Sequence, residues 1–235
     1  MKQRVARCLV YRAYRAIPVT SEAMADVISQ REPHALEYVA GLLQSGELVG
    51  IPTDTVYGLA AAVSNEAAVR RMFSVKGRSP SKGVPLLVAD TLMAEWVGEM
   101  TPLAEKLASK FWPGALTVVV PKKSGFFSLA LGGTNATTVA LRVPAHDFPR
   151  DLAKVLGEPI TGTSANRSGA RAPTSAAEAA FQLGELVPVV IDGGRNPSAK
   201  ESTVVDVTGA TAKILRQGAV SREQLATVLG KALEE

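Results

Sequence analysis

The sequence is short of the residues on which many enzyme sites are built. It has one cysteine, Cys8, so no disulfide can close within the chain and no cysteine-rich zinc site can assemble. Two histidines, His34 and His146, are too few for a histidine-based metal centre. Aromatic residues make up 5% of the chain, which argues against the stacking platforms that hold single-stranded nucleic acid. No apolar run reaches the roughly 20 residues of a membrane helix. Nothing matches Gly-x4-Gly-Lys-Ser/Thr, which excludes a P-loop, and Ser79-Pro80-Ser81-Lys82 fits a serine–lysine nucleophile pattern only trivially. The scarcity of cysteine fits a reducing compartment, the cytoplasm first.

Acidic residues are missing from one place in particular. The first 21 residues carry Lys2, Arg4, Arg7, Arg12 and Arg15 and no carboxylate. Without these five, 21 basic residues face 22 acidic ones, so the net charge of +4 comes from the N-terminus and not from the body. A near-neutral body is a poor general nucleic-acid footprint. The Arg-rich start has the composition of an organelle transit peptide, which keeps a mitochondrion or other organelle open beside the cytoplasm. A disordered or upstream-extended start is the other reading.

With 235 residues, 46% of them hydrophobic, the chain can bury a large core. Residues 1–31 read as an N-terminal extension and 32–235 as one domain. Within the latter, helical and strand patterns alternate. "PHALEYVAGLLQSG" spaces Leu36, Val39, Ala40 and Leu43 as a helix ending at Gly46. "NEAAVRRMFSVKG" puts Ala68, Val69, Met72 and Phe73 on one face and stops at Gly77. "TPLAEKLASKFWPG" starts with Thr101 as cap and Pro102 in the first turn. "LVGIPT", "VPLLVA", "LTVVVP", "TTVALRVP" and "EPITGTSAN" read as strands, "FPRDLAKVLG" as a helix. Capping boxes are expected at Ser175/Glu178 and Ser221/Gln224, with three late strands between them. The class is α/β, pictured as a single twisted, mixed sheet with helices. Trp96, Phe111 and Trp112 are expected in the core, and His34 on the surface.

Polar residues gather in this apolar scaffold at six places. "IPTDTVYGLA" sets Thr53, Asp54 and Thr55 directly after a strand, more polar groups than a turn needs. "SVKGRSPSKG" brings Lys76, Arg78 and Lys82 together among Gly and Ser, which suits either a triphosphate or a solvated basic loop. In "TTVALRVP", alternation puts Thr138, Ala140 and Arg142 on one face. Arg142 there is either a carboxylate grip or a solvent-facing charge. "TGTSANRSG" crowds Thr161, Thr163, Ser164, Asn166 and Ser168 at a strand exit, where open α/β sheets bind ligands. "ESTVVD" and "KILRQG" add Ser202 and Arg216, either of which alone would pass for loop chemistry.

Taken in order, "PTDTVYGLA", "KGR", "FWPGALTVVV", "VALRVP", "SANRSG", "ESTVVD" and "ILRQGAV" resemble the YrdC family of threonylcarbamoyl-adenylate synthases, from about Leu36 to Leu225. The resemblance implies a twisted mixed sheet with helices around a concave, positively charged cavity, in the single-domain form. It implies synthesis of L-threonylcarbamoyl-adenylate and pyrophosphate from L-threonine, bicarbonate or CO2, and ATP. A downstream threonylcarbamoyl-transferase complex would then modify the anticodon-adjacent adenosine of tRNA, with a tRNA contact as a further partner expectation. By resemblance, Thr53, Thr55, Tyr57, Arg142 and Ser202 line the threonine end. Lys76, Arg78, Lys82, Thr138, Ser164, Asn166 and Arg216 contact ATP, with Lys76, Arg78, Ser164 and Asn166 nearest the chemistry. Mg2+ is expected with the triphosphate, although no carboxylate cluster marks a site for it.

Two departures touch the pocket. Many members of the family have proline where this chain has Ser79, and a histidine shortly after the next Pro-Leu, where this chain reads "PLLVAD". Two other functions compete with the synthase. One is a non-catalytic module that binds RNA, double-stranded RNA included. The other is a related carbamoyl-adenylate activity that starts from carbamoyl phosphate.

Overall fold

The computed structural model describes residues 24–77, 79, 83–126, 137–196 and 199–234. The described residues form two mixed sheets, one of five strands and one of six. The first runs β1 (Asp26–Ser29), β9 (Val189–Asp192), β2 (Val49–Ile51), β3 (Gly58–Ala60), β8 (Thr163–Ser164). The second runs β11 (Lys213–Arg216), β10 (Thr203–Asp206), β5 (Leu116–Pro121), β6 (Thr138–Arg142), β4 (Leu86–Leu87), β7 (Ile160–Thr161). The helices are α1 (Ala35–Gln44), α2 (Glu66–Lys76), α3 (Thr91–Val97), α4 (Pro102–Phe111), α5 (Asp147–Leu156), α6 (Ala176–Leu183) and α7 (Arg222–Leu229).

Strand alternation explains the layering. Val189 and Ile191 of β9, with Val49 and Ile51 of β2, face α1 and α5 and pack on Val39, Leu43, Phe148 and Leu152. Val190 and Leu59 point the other way, into a core shared with Val118, Val120, Leu141 and Val205 of the second sheet and with Met72, Leu107, Leu183 and Leu225 of four helices. Burying each such side chain stabilises the fold by about 1.5–3 kcal/mol. The first sheet is therefore apolar on both faces, which is why its short strands read as near-continuous hydrophobic runs.

The expected single sheet is thus two, and the reason lies at Gly162. "EPITGTSAN" is not one strand: β7 pairs with β4 in one sheet, and β8 pairs with β3 in the other. The chain crosses the seam at Gly162, where a methyl group would sit 2.7 Å from Leu87 Cγ. Only glycine lets the crossing pass that close. On the other side of Gly162, Thr161 Oγ1 accepts from Ala61 N (2.9 Å) and donates to Leu59 O (3.1 Å), tying the two sheets together.

Three further expectations change. The folded body includes β1, which pairs in register with β9 from Asp26 to Ser29, so the boundary at residue 32 falls too late. That short strand has little alternation of its own, and its pairing with β9 carries it. Trp96 is not core: it is 54% exposed, on the outer face of α3, a helix the patterns above do not include, and meets Phe126 edge-on. The Ser175/Glu178 box is only half formed. Ser175 caps Glu178 N, but the Glu178 carboxylate turns to Thr174 N (2.7 Å) and Thr174 Oγ1 (3.1 Å). The Ser221/Gln224 box is reciprocal, and Thr101 and Pro102 start α4 as read. His34 is exposed at the start of α1. The extension up to residue 23 lies outside the described residues.

Candidate functional site

Strand direction delivers the polar residues to one place. In the six-stranded sheet, β6 ends at Arg142. Its antiparallel neighbour β5 begins beside it with Leu116 and Thr117. β10 runs parallel to β5 and begins at Thr203, just after Ser202, and β11 ends at Arg216 opposite Val204. In the five-stranded sheet, β2 ends at Ile51 and β3 starts at Gly58, so residues 52–57 form the loop at that end. β8 ends at Ser164, paired with Gly58. The two sheet ends meet where loop 52–57 contacts Arg142.

Arg142 is the hub. It is 5% exposed. Its Nη1 donates to Thr55 Oγ1 (2.8 Å), its Nε to Gly114 O (2.9 Å), and its Nη2 pairs with the Asp54 carboxylate. Asp54 is the partner that motif reading passed over: it stands in the quoted cluster but has no assigned role. Burial pushes the Arg142 guanidinium down from the ordinary arginine range, Asp54 opposes that, and the nearby Arg216 charge adds to the depression. The two arginines are thus electrostatic neighbours, although Arg216 is exposed. Of the guanidinium's five N–H groups, these contacts use three. The rest suit a carboxylate bidentately. Gly114, held by Val143 O through its N–H (2.8 Å), cannot be replaced cheaply, since a methyl there would lie 2.3 Å from Phe111 O.

Around this hub the threonines are wired to one another. Thr53 Oγ1 donates to Val56 O (2.7 Å) and accepts from Thr55 N (3.1 Å). Its single proton is therefore spent, so in the 3.1 Å contact between the two hydroxyls Thr55 is the donor. Thr55 then presents acceptor lone pairs on the Arg142 side. Ser202 comes just before β10, two strands away from Arg142 in the six-stranded sheet. Its hydroxyl contacts Thr117 Oγ1 (2.8 Å) and accepts from Arg216 Nη2 (3.2 Å), and its carbonyl accepts from Arg216 Nη2 (2.9 Å). Arg216 also pairs with Glu201 (2.7 Å). Thr117, a buried hydroxyl in an otherwise apolar strand, has no role in the motif reading, although one polar residue in "LTVVVP" is the signal that would have found it.

A second cluster forms at the end of α2. Lys76 is 4% exposed. Its ammonium donates to the carbonyls of Ser164 and Asn166 (2.8 Å for the latter) and to Asn166 Oδ1 (3.3 Å). The resemblance put Lys76 on ATP phosphates. In this structure its ammonium also braces the Ser164–Asn166 turn. The Asn166 amide closes the same loop onto Ala170 O (2.6 Å). This cluster joins the first through β3: Gly58 pairs with Ser164, and Ala165 N donates to Tyr57 O (2.8 Å).

Two expected members stand apart. Thr138 sits at the start of β6, about 13 Å along the strand from Arg142, and is not part of either cluster. Tyr57 is 1% exposed. Its hydroxyl donates to Gly194 O (2.6 Å) and accepts from Gly193 N (3.1 Å), so it anchors the turn after β9. Arg78 and Lys82 lie outside the described residues. His146 caps α5 through Nδ1, which accepts from Phe148 N (3.3 Å), and burial holds its pKa below the usual value. No group of three or more His, Cys, Asp or Glu among the described residues is placed to hold a metal ion. Among them, no helix is long and apolar enough to cross a membrane.

Burial pushes the Tyr57 phenol up from 10.0 to about 12, with Asp192 adding to the effect. Below pH 10 the phenol is protonated in folded and unfolded chains alike, and its stabilisation is complete. Between pH 10 and 12 only the unfolded chain loses the proton, so stability should fall there by about 1.4 kcal/mol per pH unit. Denaturant melts across that range should show the slope in the wild type and a shallower one in Tyr57→Phe. Equal slopes would remove Tyr57 from the account.

A family model described as telomere recombination, covering Sua5, YciO and YrdC proteins, matches residues 41–218. A Pyrococcus abyssi protein named threonylcarbamoyl-AMP synthase is 38% identical over 201 residues, 85% of this chain and 58% of that one. A Mycobacterium tuberculosis protein named putative threonylcarbamoyl-AMP synthase is 41% identical over 191 residues, 81% of this chain and 87% of that one. The crystal structure of Pyrococcus abyssi Sua5 complexed with L-threonine superposes with a TM-score of 0.81 at 36% identity, covering 88% of this chain and 61% of that one. The chain therefore spans about three fifths of the archaeal relative and most of the mycobacterial one.

Proposed function

We propose that this chain, a member of the Sua5/YciO/YrdC family, makes L-threonylcarbamoyl-adenylate from L-threonine, bicarbonate or CO2, and ATP. The observation that carries this reading is the buried Arg142. Asp54, Thr55 and Gly114 hold its guanidinium in a fixed plane where the ends of the two sheets meet. A planar cation with N–H groups to spare, beside a wired hydroxyl acceptor, suits an α-amino acid: carboxylate on Arg142, amine towards Thr55.

The reaction needs no side-chain nucleophile. The threonine amine adds to CO2 and loses a proton to give a carbamate. A carbamate oxygen then forms a bond to the α-phosphorus of ATP. The bond from that phosphorus to the bridging oxygen breaks, and pyrophosphate leaves with the electron pair. The protein's share is alignment and charge neutralisation. Arg142, Thr55 and Ser202 hold the amino acid. The turn of Ser164 and Asn166, fixed by Lys76, presents its groups at the junction of the two substrates. Arg216 is assigned to the nucleotide, and so, from the sequence alone, are the basic residues Arg78 and Lys82. Magnesium bound with ATP would neutralise phosphate charge; among the described residues no group of three or more His, Cys, Asp or Glu is placed to hold it.

The product is a mixed anhydride of a carbamate and a phosphate, which hydrolyses readily. A threonylcarbamoyl-transferase that acts on a tRNA adenosine is the consumer that fits it. We assign the reaction to the cytoplasm, the compartment that a single cysteine fits first. Sequencing the N-terminus of protein recovered from its native cells tests the organelle alternative, since a start well after Met1 would support it. The function itself is tested by incubating the protein with ATP, labelled bicarbonate and L-threonine. Threonine-dependent pyrophosphate and labelled adenylate are expected. Salt-sensitive RNA binding without pyrophosphate would favour the RNA-binding alternative, and turnover only with carbamoyl phosphate would favour the other.

A further inference from the structure

We infer that Asn196 is a positioning residue for the amino-acid end of the site, acting through Thr53 and Thr55 on Arg142; this rests on the function proposed above. In sequence, "GGRNP" reads as a turn, and nothing in it points to the pocket. In the fold, Asn196 is 8% exposed. Its Nδ2 donates to Thr53 O (2.8 Å), and its own N–H donates to Thr174 O (2.8 Å). Tyr57 N donates to Pro173 O (2.9 Å), and Tyr57 Oη takes Gly193 N and Gly194 O. Three stretches of chain, 53–57, 173–174 and 192–196, are thus knitted into one unit behind the Arg142 pocket.

The direction of the hydrogen bonds gives this unit a functional consequence. Asn196 fixes the carbonyl of Thr53, and so the pitch of the peptide that carries the Thr53 side chain. Thr53 Oγ1 spends its proton on Val56 O and accepts from Thr55. Thr55 consequently offers lone pairs to Arg142 Nη1 (2.8 Å). Loosening Thr53 lets that chain of hydroxyls rotate, so Thr55 presents a donor for part of the time, facing a guanidinium and the substrate amine. Both are donors, and the substrate would be held less well. The nucleotide end, built on Lys76, Ser164 and Asn166, meets this unit through the backbone, where Ala165 N donates to Tyr57 O (2.8 Å).

Asn196→Asp keeps the shape and removes the donor. Expected are a KM for threonine raised about tenfold, a KM for ATP within about twofold, and kcat little changed. Thr53→Val breaks the same relay one step on without touching the Asn196 contact to the Thr53 carbonyl. It should give the same split, and the double variant should lose less than the two single losses combined. If Asn196→Asp does not fold, Thr53→Val with Asn196→Ser decides in its place. Asn196→Ser keeps a shorter donor and should fall between wild type and Asn196→Asp. A general loss of structure would move both KM values, or only the melting temperature, and either result overturns the inference. Wild-type protein without threonine-dependent pyrophosphate release overturns the proposed function, and the inference with it. Wild-type activity with no split in the variants overturns the inference alone.

Discussion

Replacing Arg142 with alanine should raise the KM for threonine about 100-fold, the loss of roughly 3 kcal/mol expected when a charge-assisted hydrogen-bonding partner is removed. It should also destabilise the fold by about 3–5 kcal/mol. The stability loss arises because Asp54, with its side chain 16% exposed, keeps a buried charge without its partner. The two effects can be separated. Arg142→Met combined with Asp54→Asn removes both charges, so it should recover most of the stability and none of the threonine affinity. Thermal melts and initial-rate kinetics on the same preparations read the two quantities side by side. A double variant with normal threonine KM would show that Arg142 is a structural ion pair and nothing more. Glu201 and Arg216 form a contrasting pair: both are partly exposed, so breaking that pair should cost no more than about 1 kcal/mol.

Lys76→Ala should cost about 3 kcal/mol, from two carbonyls and an amide oxygen that lose a buried cationic donor. In a domain of this size, that corresponds to a melting temperature lower by roughly 6–12 °C. Pyrophosphate release should fall more than 100-fold, because the Ser164–Asn166 turn no longer holds its place and a small misplacement is costly in catalysis. Lys76→Arg should not rescue the protein. A planar guanidinium cannot converge on three oxygens that surround a compact ammonium, and at 4% exposure there is no room to move it aside. A stable, active Lys76→Ala variant would sink the assignment of Lys76 to the turn.

These two residues differ in how far the sequence anticipates them. "TTVALRVP" places Arg142 on the face opposite Val139, Leu141 and Val143, and β6 keeps that alternation. Its nature as a hub is invisible in sequence, because Asp54, Thr55 and Gly114 come from other parts of the chain. Lys76 reads as one of three loop cations. It is in fact the last residue of α2, and helix geometry swings its side chain inward. Gly77 in the left-handed conformation (φ 60°) ends the helix there, and Gly77 was legible as a stop. The inward turn was not legible, since it depends on two carbonyls about ninety positions later in the chain. Tyr57 and Asn196 illustrate the same limit. A tyrosine in a polar motif looks like a ligand contact, yet a buried phenol seeks partners, and here it meets two glycine peptides after β9 and the Asp192 carboxylate (3.4 Å).

Local patterns along the chain are enough for the α/β class, the positions of most helices and strands, and the order of motifs that places the chain in its family. Those properties follow from local periodicity, capping residues and short-range spacing, which act within a few residues of chain. Only the folded arrangement shows that the strands divide into two sheets at Gly162, that β1 joins the five-stranded one, and that Arg142 and Lys76 each have their particular partners. Buried charges and hydroxyls must find complementary groups wherever the fold brings them, and those groups come from segments too distant in the chain for any local pattern to pair.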